Sequence, residues 1–109
     1  MLRRKFQEFP TSIPFSYPDQ KTKELFLAIL KLRDVKEAAK FFRDLLTLPE
    51  IEEFANRWQA ARLLAAGYSY AEVAKRAKMS TTTVSRVAHW LHRGWGGYKL
   101  ILDRLARTK

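Results

Sequence analysis

The sequence contains no cysteine and no long hydrophobic run. Without cysteine, the chain cannot form a disulfide framework, a zinc–thiolate site or a thiol nucleophile. No apolar stretch approaches the roughly 18 residues that indicate a membrane span. No apolar segment follows the basic residues of the opening MLRRKFQEFP, as a signal peptide would require. We therefore expect a protein of the cytoplasm that does not bind membranes.

Histidine is also scarce, and the sequence shows no catalytic signature. His89 and His92 are the only histidines, and although their spacing places them on one helical face, two ligands make a weak metal site. Gly94, Gly96 and Gly97 follow a helical segment rather than a strand, so they do not form a phosphate-binding loop. We predict that the protein is not an enzyme, binds no metal and needs no cofactor.

Acidic residues are few in the C-terminal part of a strongly basic chain. The formal net charge is +10, and residues 66–109 contain nine Lys or Arg residues against only Glu72 and Asp103. A cationic segment of this kind attracts polyanions, of which nucleic acid is the commonest. The same charge is also compatible with a surface that is merely solvated. The uneven distribution favours nucleic-acid binding by the C-terminal part.

Proline spacing and hydrophobic periodicity divide the chain into two regions. Pro10, Pro14 and Pro18 forbid a helix and predict an extended N-terminal arm over residues 1–19. Residues 20–109 show helical apolar spacing and no sustained alternation, which predicts a single all-α domain. Its six expected helices lie at about 20–32, 35–46, 50–66, 70–77, 81–92 and 98–107.

The most informative stretch is GYSYAEVAKRAKMSTTTVSRVAHWLHRG. Ser69 and Ser80 are predicted N-caps that open two short helices separated by three or four residues. Met79 is placed to fill the turn between them. Lys78 occupies a turn position that is often glycine, and we expect it to adopt a left-handed backbone at a modest cost. The pattern predicts a helix-turn-helix at about residues 69–92.

The second helix of this motif carries polar side chains suited to reading DNA. Hydroxyls near a helix N-terminus bond base edges or phosphates, and Arg86 is able to bond a guanine edge bidentately. Cations on the first helix and in the turn would neutralise phosphates. The predicted DNA-binding residues are Ser80, Thr81, Thr82, Thr83, Ser85, Arg86, His89, Lys75, Arg76 and Lys78. The alternative is that the hydroxyls are only helix caps and solvated surface.

Three segments resemble the Trp-repressor-like family, most closely its YerC/YecD branch: LTLPEIEEFANR (46–57), AAGYSYAEVA (65–74) and STTTVSRV (80–87). The resemblance covers about residues 21–98. It implies an all-α fold, an intertwined homodimer and a transcriptional regulator that binds a pseudo-palindromic operator. The apolar face of the second predicted helix is too broad for one contact, which agrees with burial against a second copy.

The resemblance also implies a candidate effector pocket. In the tryptophan-binding members, two arginines enclose the indole ring of the corepressor, and their positions correspond to Arg57 and Arg86. A glycine that makes room for the ligand follows the second arginine in those members. This chain has Val87 there, and its isopropyl group would fill the space, which argues against L-tryptophan as the corepressor. The alternative for Arg57 is an ion pair with the acidic start of its own helix.

The residues and the resemblance lead to one expectation. The protein is predicted to be a sequence-specific, double-stranded DNA-binding regulator, a repressor associated with the nucleoid, that reads the major groove as a homodimer. DNA binding and dimerisation are both assigned to residues 20–109. Two alternatives stay open: a protein-interaction module that docks the same helix pair onto a partner, and an RNA-binding adaptor without groove readout.

Overall fold

The structure, a computed structural model, describes residues 16–107 and contains no β-strand within them. Its helices are α1 (Gln20–Ile29), α2 (Val35–Leu45), α3 (Leu48–Ala65), α4 (Tyr70–Arg76), α5 (Thr81–Arg93) and α6 (Gly97–Arg107). The predicted all-α class with six helices is confirmed. Most of the predicted arm over residues 1–19 lies outside the described residues. No helix in the described part combines the length and apolar character needed to cross a membrane.

The starts of the first three helices follow from short-range hydrogen bonds. Asp19 and Asp34 act as N-caps of α1 and α2, each accepting a backbone N–H three residues later at 2.8 Å. The predicted start of α3 at about residue 50 is wrong by two residues, because Thr47 caps the helix. The backbone N–H of Glu50 donates to Oγ1 of Thr47 at 3.2 Å, and the Glu50 carboxylate accepts from the backbone N–H of Thr47 at 2.9 Å.

The first helix ends three residues earlier than predicted, at Ile29 rather than residue 32. Beyond it the backbone tightens to i→i+3 hydrogen bonds, from Lys31 to Ala28 and from Leu32 to Ile29. The chain must leave helical geometry here because Asp34 adopts an extended backbone, with φ of −153°, to cap α2.

The described chain divides into two compact units, one ending at Ile51 and the other beginning at Glu52. In the first unit no residue of α1 or α2 is buried. A ring contact between Tyr17 and Phe26, with centroids 6.1 Å apart, joins the segment just before α1 to that helix. The assignment of residues 20–109 to a single domain stays a prediction.

The second unit contains the buried core. Val73 of α4 and Val84 of α5 are fully buried, and each such side chain contributes roughly 1.5–3 kcal/mol relative to exposure. Small residues allow the backbones of α3, α4 and α5 to approach closely. The remaining core residues are Ala60, Ala61, Ala77, Val87, Ala88 and Leu91. Met79 packs against this core, as predicted for a residue that fills the turn.

A tight turn and an aromatic contact complete the second unit. Gly67 ends α3 with a left-handed φ of 95°. Its N–H donates to Leu64 O at 3.0 Å and that of Tyr68 donates to Leu63 O at 3.1 Å, so the helix closes with a Schellman motif. In the same unit, Tyr98 of α6 lies beside Trp58 of α3, with ring centroids 6.1 Å apart.

Candidate nucleic-acid interface

Helices α4 and α5 pack against each other and form the predicted helix-turn-helix. The turn contains the left-handed residue Lys78, with φ of 56°, and the N–H of Met79 donates to the carbonyl of Ala74 at 3.0 Å. The left-handed lysine predicted from the sequence is therefore confirmed. This short turn holds α5 at a fixed angle to α4 through the shared core of Val73 and Val84.

Two of the predicted DNA-contacting hydroxyls lie in the N-terminal cap of α5. Oγ of Ser80 accepts the backbone N–H of Thr83 at 3.1 Å, and the two hydroxyl oxygens lie 3.0 Å apart. Ser80 is therefore the N-cap that the sequence predicted. A hydroxyl in such a cap has fewer lone pairs and hydrogens left for a ligand than a solvated one.

The outward side of α5 is exposed. Four polar residues have the i, i+3, i+4, i+7 spacing that places side chains on one helical face: Thr82, Ser85, Arg86 and His89. All four are exposed, and so is the adjacent Thr81. The opposite face, which includes Val84 and Val87, is buried in the core. Within residues 16–107 the Arg86 side chain has neither a hydrogen bond nor an ion pair, so its guanidinium is available to a ligand.

The three cations predicted to bind phosphate differ in their surroundings. Lys75 and Lys78 are exposed and form no ion pair with any described residue. Arg76 instead donates from Nε to Oε2 of Glu72 at 2.6 Å, and its guanidinium carbon lies 4.6 Å from the centre of the Tyr68 ring. The hydrogen bond from Arg76 lowers the pKa of Glu72, so this carboxylate is charged at neutral pH.

The two histidines are both exposed on α5. His89 contacts the Trp90 ring edge-to-face, with centroids 5.1 Å apart. Among residues 16–107, no group of three or more His, Cys, Asp or Glu side chains is arranged to hold a metal ion.

The three residues of the predicted effector pocket line one cleft of about 330 Å³. Arg86, Val87 and Trp90 border it from α5, and Arg57 borders it from α3. Its other lining residues are Glu53, Thr83 and Tyr98. Two guanidinium groups, an indole and a phenol therefore line this space beside α5.

Arg57 forms the ion pair that the sequence offered as an alternative. Its Nη2 donates to Oε2 of Glu53 at 2.6 Å, and its guanidinium carbon lies 5.6 Å from the Phe54 ring centre. Both partners are about half exposed. One of the two arginines in the cleft thus already has a carboxylate partner from its own helix.

Sequence reasoning missed three residues of these sites, Tyr68, Trp90 and Tyr98. Trp90 could have been found from the sequence, because it continues the helical stripe of Thr83 and Arg86. Tyr98 and Tyr68 carry no such local pattern. Tyr98 reaches the cleft only because α6 packs back on α5.

Comparison with known proteins agrees with this architecture. The model of the Trp repressor protein family matches residues 20–106. The chain is 40% identical over 86 residues to the uncharacterized protein YerC of Bacillus subtilis, an alignment that covers 79% of this chain and 83% of YerC.

Two solved structures are similar in both sequence and fold. A TrpR-like protein from Eubacterium eligens is 36% identical with a TM-score of 0.79, and the match covers 84% of this chain and 95% of that one. A candidate Trp repressor from Staphylococcus aureus is 41% identical with a TM-score of 0.76, and here the coverage is 79% and 86%. The family match, the sequence identity and the shared fold together establish that the chain belongs to the Trp repressor family.

Proposed function

We propose that the protein is a sequence-specific, double-stranded DNA-binding transcriptional regulator that acts as a repressor at the nucleoid in the cytoplasm. Membership of the Trp repressor family supports a DNA-binding regulator. The observation that carries the proposal is the exposed face of α5, where Thr82, Ser85 and Arg86 project away from the core. A helix with one buried and one exposed polar face is suited to the major groove.

The charges around α5 supply the affinity in this proposal. Lys75 and Lys78 flank the helix pair, and the whole chain carries a net charge of +10. Each phosphate neutralised by a cation releases counterions, so binding weakens steeply as salt rises. In this division of roles the lysines set affinity, and Thr82 and Arg86 set sequence preference.

The test begins with selection of bound duplexes from a random pool, which gives the site, its symmetry and its half-site spacing. Titration of a selected duplex at several salt concentrations should then give a steep slope of log K against log salt. Thr82→Ala should change sequence preference with little change in slope, and Lys75→Ala should lower the slope by about one with little change in preference. A flat salt response, or no preference among duplexes, would refute the proposal.

A duplex RNA of matching sequence separates the nucleic-acid alternatives. The deep, narrow major groove of A-form RNA does not admit a helix, so a groove-reading protein should bind the RNA weakly. Equal affinity for both duplexes would identify an RNA-binding adaptor. Binding to neither would favour a protein-interaction module.

We also propose that a second copy of the chain covers the apolar surface of the first unit. Leu30 and Val35 are 77% and 85% exposed, and Phe26, Leu27 and Leu45 are also exposed on α1 and α2. Helices that leave this much apolar surface uncovered by their own chain gain stability when a partner covers it. A two-fold pair would also present two copies of α5 to successive major grooves, which are about 34 Å apart.

Sedimentation equilibrium tests the homodimer. The expected mass is twice the 12.8 kDa of one chain, and Leu30→Glu should shift the protein towards the monomer because it places a charge in the apolar surface. Lys31→Glu is the matched control at the neighbouring exposed position. A monomeric wild-type protein at micromolar concentration would contradict this arrangement.

We propose that L-tryptophan is not an effector of this protein. The Val87 side chain borders the cleft and Glu53 already pairs with Arg57, so both space and free positive charge are reduced. Thermal unfolding of the wild-type protein should therefore be unchanged by L-tryptophan, because a ligand that binds the native state raises Tm. Val87→Ala should gain a shift if the valine is the obstacle. A raised Tm of the wild-type protein with L-tryptophan would contradict the proposal.

A further inference from the structure

The side chain of Arg76, the last residue of α4, makes an ion pair and a contact with an aromatic ring. Within the described part of the chain, the neighbouring Lys75 and Lys78 make neither kind of contact. Its Nε donates to Oε2 of Glu72 at 2.6 Å, and its guanidinium carbon lies 4.6 Å from the centroid of the Tyr68 ring. The hydrogen bond to Glu72 also raises the pKa of Arg76. The guanidinium is therefore held between a carboxylate and an aromatic ring.

These contacts join the end of α4 to the loop that precedes it. Tyr68 belongs to the turn that closes α3, where its backbone N–H donates to the carbonyl of Leu63 at 3.1 Å. Helix α4 has only seven residues, and a helix this short depends on contacts beyond its own hydrogen-bond ladder. Arg76 thus links the C-terminal end of α4 to the start of the same helix and to the loop before it. Val73 of α4 and its C-cap residue Ala77 belong to the core against which α5 packs.

We propose that Arg76 is a positioning residue that holds α4 against α5, and not a phosphate ligand as its sequence position suggests. This inference rests on the proposed DNA binding. The Nε–H of Arg76 is engaged by Glu72 at 2.6 Å and one face of its guanidinium is engaged by the Tyr68 ring, so the group is held by its own chain and not by a phosphate. Counterion release depends on net cations that reach phosphates. Lys75 and Lys78 supply that charge, and Arg76 holds the helix that carries Lys75.

The test uses neutral variants of the pair and a control on the same helix. Glu72→Gln, Arg76→Gln and the double variant are titrated with a selected DNA duplex over a range of salt, beside Lys75→Gln. Each single variant of the pair should weaken binding by a factor of about two to five, with a salt slope equal to that of the wild type. The double variant should be no weaker than either single variant, because both remove one interaction. Lys75→Gln should lower the slope by about one.

The sign of the Glu72→Gln effect distinguishes the two roles of Arg76. If the arginine binds a phosphate, removal of the neighbouring carboxylate frees its charge and tightens binding, Arg76→Gln lowers the slope by about one, and Arg76→Lys restores it. That result overturns the proposal. If the arginine positions the helix, Arg76→Lys does not restore binding, because an ammonium lacks the planar group that stacks on Tyr68.

The outcome also separates this inference from the proposed function. Glu72→Gln changes a single half-exposed side chain, so we expect it to fold, and thermal unfolding checks this. A wild-type protein that binds no duplex refutes the proposed function and the inference together. A wild-type protein that binds, with a Glu72→Gln variant that binds more tightly, refutes the inference alone.

Discussion

The backbone N–H of Met79 donates to the carbonyl of Ala74 at 3.0 Å and closes α4 across the left-handed residue Lys78. Glycine ordinarily occupies such a position because it has no Cβ to clash. A lysine held at a φ of 56° raises the free energy of the folded chain. Backbone strain of this kind is often retained at functional positions, and here the lysine places a cation beside α5.

Lys78→Gly should therefore raise the stability of the protein and weaken its DNA binding. Relief of the left-handed strain should raise the free energy of unfolding by about 1 kcal/mol, and loss of the ammonium should lower the salt slope of DNA binding by about one. Urea unfolding measures the first effect and a salt titration the second. Lys78→Asn is the control, because asparagine tolerates this backbone and is uncharged. A less stable glycine variant, or unchanged DNA binding, would contradict the prediction.

Arg86→Ala should weaken binding to a selected duplex by roughly 1–3 kcal/mol and relax the sequence preference. The side chain is exposed and makes no hydrogen bond or ion pair with residues of the described range, so the urea midpoint should change little. Competition between selected and mixed-sequence duplexes measures the preference. Arg104→Ala, which removes an exposed guanidinium from α6, should affect both duplexes alike. If Arg86→Ala leaves affinity and preference unchanged, the arginine does not read bases.

The Glu72–Arg76 ion pair should make stability depend on pH in the acid range. The hydrogen bond from Arg76 lowers the pKa of Glu72 from its ordinary 4.5. The ion pair therefore stabilises the folded chain above pH 4.5, and this contribution is lost as the pH falls through the lowered pKa. Wild-type protein should have a higher Tm than Glu72→Gln at about pH 7, and the difference should disappear near about pH 2. An equal difference at both pH values would show that the charge of Glu72 is irrelevant.

Two substitutions on α5 that remove similar atoms should lower the free energy of unfolding by different amounts, because one site is buried and the other is exposed. Val84→Ala removes two methyl groups from a fully buried site and should lower the free energy of unfolding by about 2 kcal/mol. Thr82→Ala removes a methyl and a hydroxyl group from the exposed face and should change it by less than about 0.5 kcal/mol. Urea unfolding of both variants measures the contrast. Equal losses would show that the two faces of α5 are assigned incorrectly.

Most of the secondary structure could be predicted because its determinants are local. Asp34, Ser69 and Ser80 each accept the backbone N–H three residues ahead, as their positions indicated. The start of α3 is set just as locally, because Thr47 and Glu50 have capping-box spacing and are hydrogen-bonded to each other. The early end of α1 was harder to predict, because it depends on the backbone that the next cap requires.

The exposed and buried faces of α5 could be predicted from helical periodicity, whereas the partners of its flanking cations could not. Lys75, Arg76 and Lys78 look alike as a basic cluster in the sequence. Glu72 is within reach of Arg76 at i+4 spacing, but the Tyr68 ring joins them only because the Schellman turn at Gly67 brings it back towards α4.

Helix order, capping residues and the two faces of the helix-turn-helix follow from the amino-acid order, because each depends on residues within one or two helical turns. The cleft between α3, α5 and α6 does not, since Arg57, Arg86 and Tyr98 meet there only when three separate helices pack. Packing also decides which of the cations Lys75, Arg76 and Lys78 has a partner within the described residues. A side chain's charge is set by its residue type, but its partners are set by the neighbours that packing brings within a few ångströms.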